Sequence, residues 1–478
     1  MQRRDFLLGN GATALALAFP ALIRAGSLDR GATSARAAEP IRPELVAEHA
    51  SEPLVGMPYP PTPVWSFGGS VPGAEIRLRP GERLSRRLVN RLDVATSVHW
   101  HGIRVPWAMD GVAGLTQEAV PPGEHFDIDF VPPDAGTYWY HAHANTPEQI
   151  GRGLYGPLIV EEETPITIDR ELVWMLDDWR LAPDATIAAD FGQRHDASHG
   201  GRIGNTITLN GRLRPPIRVR SGERVRLRLI NAANARQFAL DFGELPVRVV
   251  AIDGQPVTPH EPGGPILLPS AGRVDLVVDL LAAPSTTIEV VDRYYREPTV
   301  VGALALDANA PLRDTPPDTP IALGTPTLPE PDLTAAIEHE IVIGGGAMGG
   351  LREARLGGTV RGMREIAGAG YFWALNDLVG SGYDVPPMLE VARGRTLRLT
   401  FRNDTAFVHP MHLHGHHMKL LSVDGQAPAR TVWHDSVPIR PDERVEVAFV
   451  ADNPGLWLLH CHVLEHHMAG MGALVRVA

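Results

Sequence analysis

Close to the C-terminus runs His460-Cys461-His462-Val463-Leu464-Glu465-His466-His467-Met468-Ala469-Gly470-Met471, the chain's densest group of metal-binding side chains. A β-strand sends successive side chains to opposite faces, so a strand through His460 to His462 turns Cys461 one way and both histidines the other. One tripeptide then serves two metal sites. On the Cys461 side, His466 and Met471 follow at spacings over which a loop can fold back. A thiolate, imidazoles and a thioether make the soft, distorted ligand set of a blue-copper electron-transfer centre, with methionine as the weak axial ligand. That set still needs a second imidazole, and His460 and His462 need partners from elsewhere.

Three stretches supply them. Val98-His99-Trp100-His101-Gly102 puts two histidines on one face of a strand, and Tyr138-Trp139-Tyr140-His141-Ala142-His143 repeats the device. His409-Pro410-Met411-His412-Leu413-His414-Gly415 offers another pair, with His409 set apart before a turn-forming proline. With His460 and His462 there are four His-x-His pairs. Eight imidazoles suffice for a three-copper cluster, while His409 completes the blue-copper set.

The elements that must hold these residues are short strands. Abundant glycine (48) and proline (43), with β-branched runs between them, favour β-sandwich or barrel modules. A repeat sets their number. Residues 76–84, 217–225 and 389–397 each alternate as a strand, turn at Gly81, Gly222 or Gly394, and lead to an asparagine nine residues on, at Asn90, Asn231 and Asn403. Three copies of one β-module follow. Punctuation places them at 45–163, 164–307 and 334–478. Between the last two, residues 308–333 hold seven prolines and read as a stiff extended linker. Residues 344–370, with ten glycines and the methionines Met348 and Met363, read as an inserted surface loop or short helix.

Residues 1–37 read as an export signal: the pair Arg3-Arg4, a short Ala/Leu-rich run, and Ala35-Arg36-Ala37 for cleavage. The arginine pair indicates the twin-arginine export machinery, with Gln2 where Ser or Thr is usual. The expected location is periplasmic or secreted, with no membrane span in the mature form. Exported proteins commonly use disulfides, yet Cys461 is the single cysteine, and a free thiol in an oxidising compartment is best explained as a metal ligand. Net charge is −12, and removing the five arginines and two aspartates of the signal makes it −15, which argues against a nucleic-acid partner.

The four histidine stretches and the three-module layout resemble the multicopper oxidases, a family of laccases, ascorbate oxidase and cuprous oxidases. The resemblance covers essentially the whole mature chain. It implies an all-β fold of three cupredoxin-like Greek-key β-sandwich or barrel domains, with four copper ions as cofactors: one type 1, one type 2 and two type 3. By analogy His409, Cys461, His466 and Met471 hold type 1 copper, and His99 and His412 hold type 2. His101, His141, His143, His414, His460 and His462 hold the type 3 pair, at the interface of the first and third domains. All twelve positions are filled, unlike in the copper-free relatives that act as cell-division scaffolds.

The resemblance also supplies the reaction. A reductant gives single electrons at type 1 copper, through an exposed edge of His409 or His466. Cys461 passes them through His460 and His462, and four electrons reduce O2 to two waters. Methionine at 471 suggests a low-to-middle potential for the class. Asp110 stands where relatives have a proton-relay aspartate. His467 stands where many relatives have glutamate. Asp435 occupies a stretch that in relatives approaches the type 1 rim, where it would accept a phenol's proton or bind a metal cation. The reductant expected is a phenol or aromatic amine, in the laccase-like manner. Cu(I) is the alternative, although two methionines in residues 344–370 make a poor funnel for it. A copper nitrite reductase needs no histidine on both sides of its cysteine and would be shorter. A non-enzymatic copper-binding or scaffold protein is the remaining class.

Overall fold

Each glycine-centred repeat folds in the same way, and the repetition organises the molecule. The computed structural model describes residues 42–383 and 385–478; the expected export signal lies outside them. Strands Ile76–Leu78, Pro216–Val219 and Leu389–Val391 run into turns at Gly81, Gly222 and Gly394. These glycines have φ of 72°, 80° and 82°, a left-handed conformation that a side chain disfavours. The strands that follow, Leu84–Asn90, Arg224–Asn231 and Thr396–Asn403, each end on the repeat's asparagine.

All three asparagines are fully buried and make the same bonds. Asn90 Nδ2 donates to the Val94 and Val120 carbonyls, and its Oδ1 accepts the Leu92 N–H. Asn231 does this with Arg236, Leu268 and Ala233, and Asn403 with Phe407, Ile439 and Thr405. One amide thus ties the end of a strand to the turn after it and to a distant strand.

The pairing repeats as well. The strand after each turn runs parallel to the unit's first strand: 87–90 beside 44–47, 225–231 beside 170–176, and 397–403 beside 337–343. The strand before each turn runs parallel to the unit's last: 76–78 beside 158–160, 216–219 beside 303–306, and 389–391 beside 475–477. The architecture is therefore all-β, one cupredoxin-like sandwich made three times.

The first unit packs two four-stranded sheets around Leu88, Trp100, Phe130 and Tyr140. The second packs a six-stranded sheet on a five-stranded one around Trp174, Leu227, Phe238 and Leu276. In the third a continuous 14-stranded sheet shares one core of Trp373, Phe401, Met411, Trp457, Cys461 and Met471. Residues 311–331 contain no helix or strand. There Ile321 and Leu323 pack on Ile166, Val250 and Val277 of the second unit, and Thr327 donates to Asp134 of the first at 2.8 Å.

Residues 344–370 are more ordered than a loop. Glu353–Leu356 and Thr359–Gly362 form a hairpin closed by Gly357-Gly358, and the helix Met363–Gly368 folds onto it through Ile366. A two-residue Gly-Gly turn between alternating segments is the signal for this hairpin. No helix among the described residues is long and apolar enough to cross a membrane.

Asn231 tests the repeat away from the histidines. Asn231→Ala orphans buried backbone groups and should cost about 3 kcal/mol, at about 1–3 kcal/mol per stranded group. A lowered urea midpoint of the metal-free protein is the expected result; an unchanged midpoint would show that the asparagine does not hold its unit together.

Candidate metal centre

Strand register decides which side chains meet. His409–Leu413 pairs antiparallel with Gly455–Cys461, placing Met411 opposite Cys461 and His412 opposite His460. Cys461 and Met411 therefore share one face, while His412 and His460 share the other. In the first unit His99 lies opposite His141 in the same way.

On the Cys461 face, the one-turn helix Leu464–Met468 folds His466 back over the strand it follows. Cys461 Sγ lies 3.5 Å from His409 Nδ1 and 3.8 Å from His466 Nδ1, and the two nitrogens are 3.1 Å apart. All three side chains are buried, and Met471 is buried in the same core. Burial holds His409 well below its ordinary range, puts His466 at about 3 and pushes the Cys461 thiol up. A neutral imidazole is what a metal needs, and a metal cation would stabilise the thiolate that burial penalises.

Neither of these imidazoles has an exposed edge, contrary to the expectation from sequence. His409 Nε2 lies 2.8 Å from Thr405 Oγ1, in the turn fixed by Asn403. His466 Nε2 donates to the His199 carbonyl at 2.5 Å, across a segment of the second unit, and Trp373 packs on the ring with centroids 4.2 Å apart. These contacts fix the outer nitrogens so that each Nδ1 faces the sulfur. Nothing in the sequence around His199 advertises this role.

On the opposite face eight histidines from the first and third units converge. Ligating atoms lie within 4.8 Å of one another in three trios: His101, His141 and His462; His143, His414 and His460; and His99, His101 and His412. Buried nitrogens without a hydrogen-bond partner include His99 Nε2, His101 Nδ1, His141 Nε2, His143 Nε2, His412 Nε2 and both nitrogens of His462. Each orphaned buried group costs about 1–3 kcal/mol unless something binds it. Burial, which the neighbouring imidazoles reinforce, holds His101, His141, His143, His414, His460 and His462 far below their ordinary range. A cage of inward-facing neutral nitrogens fits transition-metal ions, and the Cys461 trio fits copper in particular.

Two carboxylates brace this cage. Asp110 is buried, with Oδ2 2.8 Å from His414 Nδ1 and Oδ1 3.1 Å from His99 Nδ1. It therefore touches a histidine from each of the two units. Asp435 does not lie at the rim of the Cys461 site, as expected from sequence, but is buried behind the inner histidines. Its Oδ1 is 3.0 Å from His101 Nε2 and its carbonyl 2.9 Å from His412 Nδ1. The reason is Arg273, a fully buried guanidinium from the second unit that donates from both Nη1 and Nη2 to the carboxylate. Burial alone would raise Asp435, yet Arg273 and His101 hold it well below the usual carboxylate range. An ionised, bidentately held group buried here is no proton acceptor for a phenol.

His467, in the position where many relatives have glutamate, is buried and packs against His460 with ring centroids 4.2 Å apart and the planes tilted by 33°. Its Nε2 donates to the Ser381 carbonyl at 2.8 Å, and burial lowers it to about 4. Glu465 faces away from the cage, accepting the Arg202 N–H and Asn234 Nδ2 at 3.0 Å each and docking the helix on the second unit.

Three family models described as "Multicopper oxidase" match the chain, over residues 51–165, 170–286 and 364–478. Multicopper oxidase MmcO of Mycobacterium tuberculosis is 30% identical, with the alignment covering 98% of this chain and 95% of that protein. Laccase-1 of Botryotinia fuckeliana is 27% identical over 86% of this chain and 77% of its own length. The crystal structure of a multi-copper oxidase from Pseudomonas thermotolerans superimposes with a TM-score of 0.80 at 32% identity, covering 91% of this chain and 98% of that one.

Buried neutral histidines make the metal-free protein sensitive to acid. His416 and His467 titrate at about 4 when folded against 6.5 when exposed, so the unfolded chain takes up protons first as pH falls. Their stabilisation is present above about pH 6.5 and lost progressively down to about pH 4, at about 3 kcal/mol per histidine. The urea midpoint of the metal-free protein should fall steeply between pH 7.5 and 4.5; a flat profile would mean that these rings take up protons without unfolding.

Proposed function

The chain belongs to the multicopper oxidase family, and from that premise we propose that it oxidises a small reductant one electron at a time beside Cys461 and reduces O2 to water among the eight inner histidines. It is a copper-dependent oxidoreductase with O2 as acceptor. We assign four coppers: a type 1 ion to His409, Cys461, His466 and Met471, a type 2 ion to His99 and His412, and a type 3 pair to the trios His101, His141, His462 and His143, His414, His460. When bound, copper supplies the one-electron redox couple at the outer site and the O2-reducing chemistry at the inner one.

The observation that carries this reading is the position of Cys461. Its sulfur lies within 3.8 Å of two imidazole nitrogens on one face, while its neighbours His460 and His462 belong to separate trios on the other. An electron arriving at the sulfur therefore has a path of covalent bonds through the Cys461 backbone to either ring. Arg273 and Asp435 orient His101, so Asp435 acts as a positioning residue. Asp110 accepts at Oδ2 from His414 Nδ1 and lies where water formation consumes protons, so it is placed to relay them. Thr405 and the His199 carbonyl exclude water from the outer imidazoles, so the reductant gives its electron across these covers.

For the reductant we favour phenols and aromatic amines, as in laccases, since outer-sphere transfer asks for no tight pocket. A second reading, Cu(I), is favoured by His199, a partly exposed imidazole whose own carbonyl accepts from His466 Nε2. We further propose twin-arginine export to the periplasm and domains at 45–163, 164–307 and 334–478, with 308–333 as linker.

Cys461→Ser should abolish both the blue absorption and O2 uptake of the copper-loaded protein while leaving its far-UV circular dichroism unchanged. O2 uptake at the wild-type rate by this variant would contradict the assigned electron entry. In wild type, phenol turnover that proceeds without added Cu(II) supports the aromatic reading, whereas a strict requirement for added Cu(II) supports the Cu(I) reading.

A further inference from the structure

We propose that His195 and His199 form a surface docking site for a soft metal cation, Cu(I) as substrate, whose electron leaves through the His199 main chain into His466. The inference rests on the Cu(I) reading above and gives it a location.

His195 lies on the one-turn helix Arg194–Ser198 and His199 is its C-terminal neighbour, four residues on. Side chains at that spacing share a face, and here the rings stack with centroids 4.1 Å apart and 11° between their planes. Two imidazoles at this spacing can ligate one ion once the exposed His195 ring turns out of the stack, and imidazole suits copper. His199 Nδ1 is already engaged by Ser198 Oγ and the His195 carbonyl, at 3.0 Å each, which leaves Nε2 as its ligating atom. The His195 side chain is 74% exposed, with Nδ1 3.8 Å from an Asp196 oxygen. Among the described residues neither Nε2 meets a hydrogen-bond partner. The Ala347 N–H donates to the Ser198 carbonyl at 2.6 Å, and the next residue, Met348, is 83% exposed. Met348 is thus one residue from the contact with that turn, and its exposed thioether is a softer donor of the kind that suits Cu(I).

The position of the pair, more than its composition, gives it a purpose. Both outer imidazoles are closed, His409 by Thr405 and His466 by the His199 carbonyl, so no cation reaches them directly. A cation on the His199 ring is joined to His466 by the side-chain and main-chain bonds of one residue and one hydrogen bond of 2.5 Å. The chain's net charge of −12 draws cations towards the protein. At the surface no bond to carbon forms or breaks. Each bound Cu(I) loses one electron and departs as Cu(II), and four such oxidations, with O2 and four protons, give two waters.

The test uses the copper-loaded full-length protein and Ag(I), a redox-inert stand-in for Cu(I), measured by equilibrium dialysis. Wild type should hold one silver ion that His195→Ala binds at least about tenfold more weakly, the scale on which even outer-shell partners of a metal act. His195→Ala/His199→Ala should lose it, and kcat/KM for Cu(I) should fall in parallel. Both substitutions keep the His199 carbonyl, and the blue band reports on the integrity of the Cys461 site. Silver held equally well by the double variant would overturn the site. Silver lost while kcat/KM for Cu(I) stays unchanged would overturn its role in electron entry. Failure of the oxidase reading would show differently, as a copper-loaded wild type with neither blue band nor O2 uptake, and would overturn the electron path as well.

Discussion

The antiparallel register between His409–Leu413 and Gly455–Cys461 is the constraint on which the rest depends. Because side chains alternate, one strand carries a sulfur on its outer face and imidazoles on its inner face, and the partner strand answers with Met411 outside and His412 inside. A slip of one residue would put Cys461 among the inner histidines and empty both sites. The repeat's asparagine helps to prevent that slip: Asn403 ties the end of its strand to Phe407 and Ile439, and Ile439 is the residue paired with His409. A structural device used three times has, in the third copy, a site built on top of it.

The inner cage sets a second constraint, an energetic one. Burying so many imidazole nitrogens without partners costs stability, and repelling rings cannot take protons to escape it. Hydrophobic packing of three β-sandwiches offsets that cost, and Arg273 shows how the middle unit contributes, by sending a guanidinium to neutralise Asp435 behind His101. Burying an ion pair in this way is poor value for stability alone. It does fix which way His101 faces, with Nε2 to Asp435 and Nδ1 left to look into the cage.

Much of the architecture was legible in the chain because it is written in local patterns. The glycine-to-asparagine repeat marks three units, and the His-x-His pairs mark strand faces, both features that need no knowledge of distant contacts. What escaped was what long-range packing decides. Asp435 looked like a rim residue because sequence cannot see Arg273 arriving from more than a hundred and fifty residues away. The outer imidazoles looked open because the residues that close them, His199 and Thr405, belong to no motif. The hairpin in residues 344–370 was missed although Gly357-Gly358 between alternating segments signals it, since glycine abundance there reads first as loop.

Closing both outer imidazoles separates the Cys461 trio from the surface, so in the proposed oxidase the covering segment can change without disturbing the assigned ligands. The central claim remains the two-faced strand. Anomalous diffraction at the copper edge from crystals of the copper-loaded protein tests it most directly: one peak bonded to His409, Cys461 and His466, and three peaks among the eight inner histidines, are expected. No copper at Cys461, or fewer than three within the cage of a fully loaded protein, would contradict it.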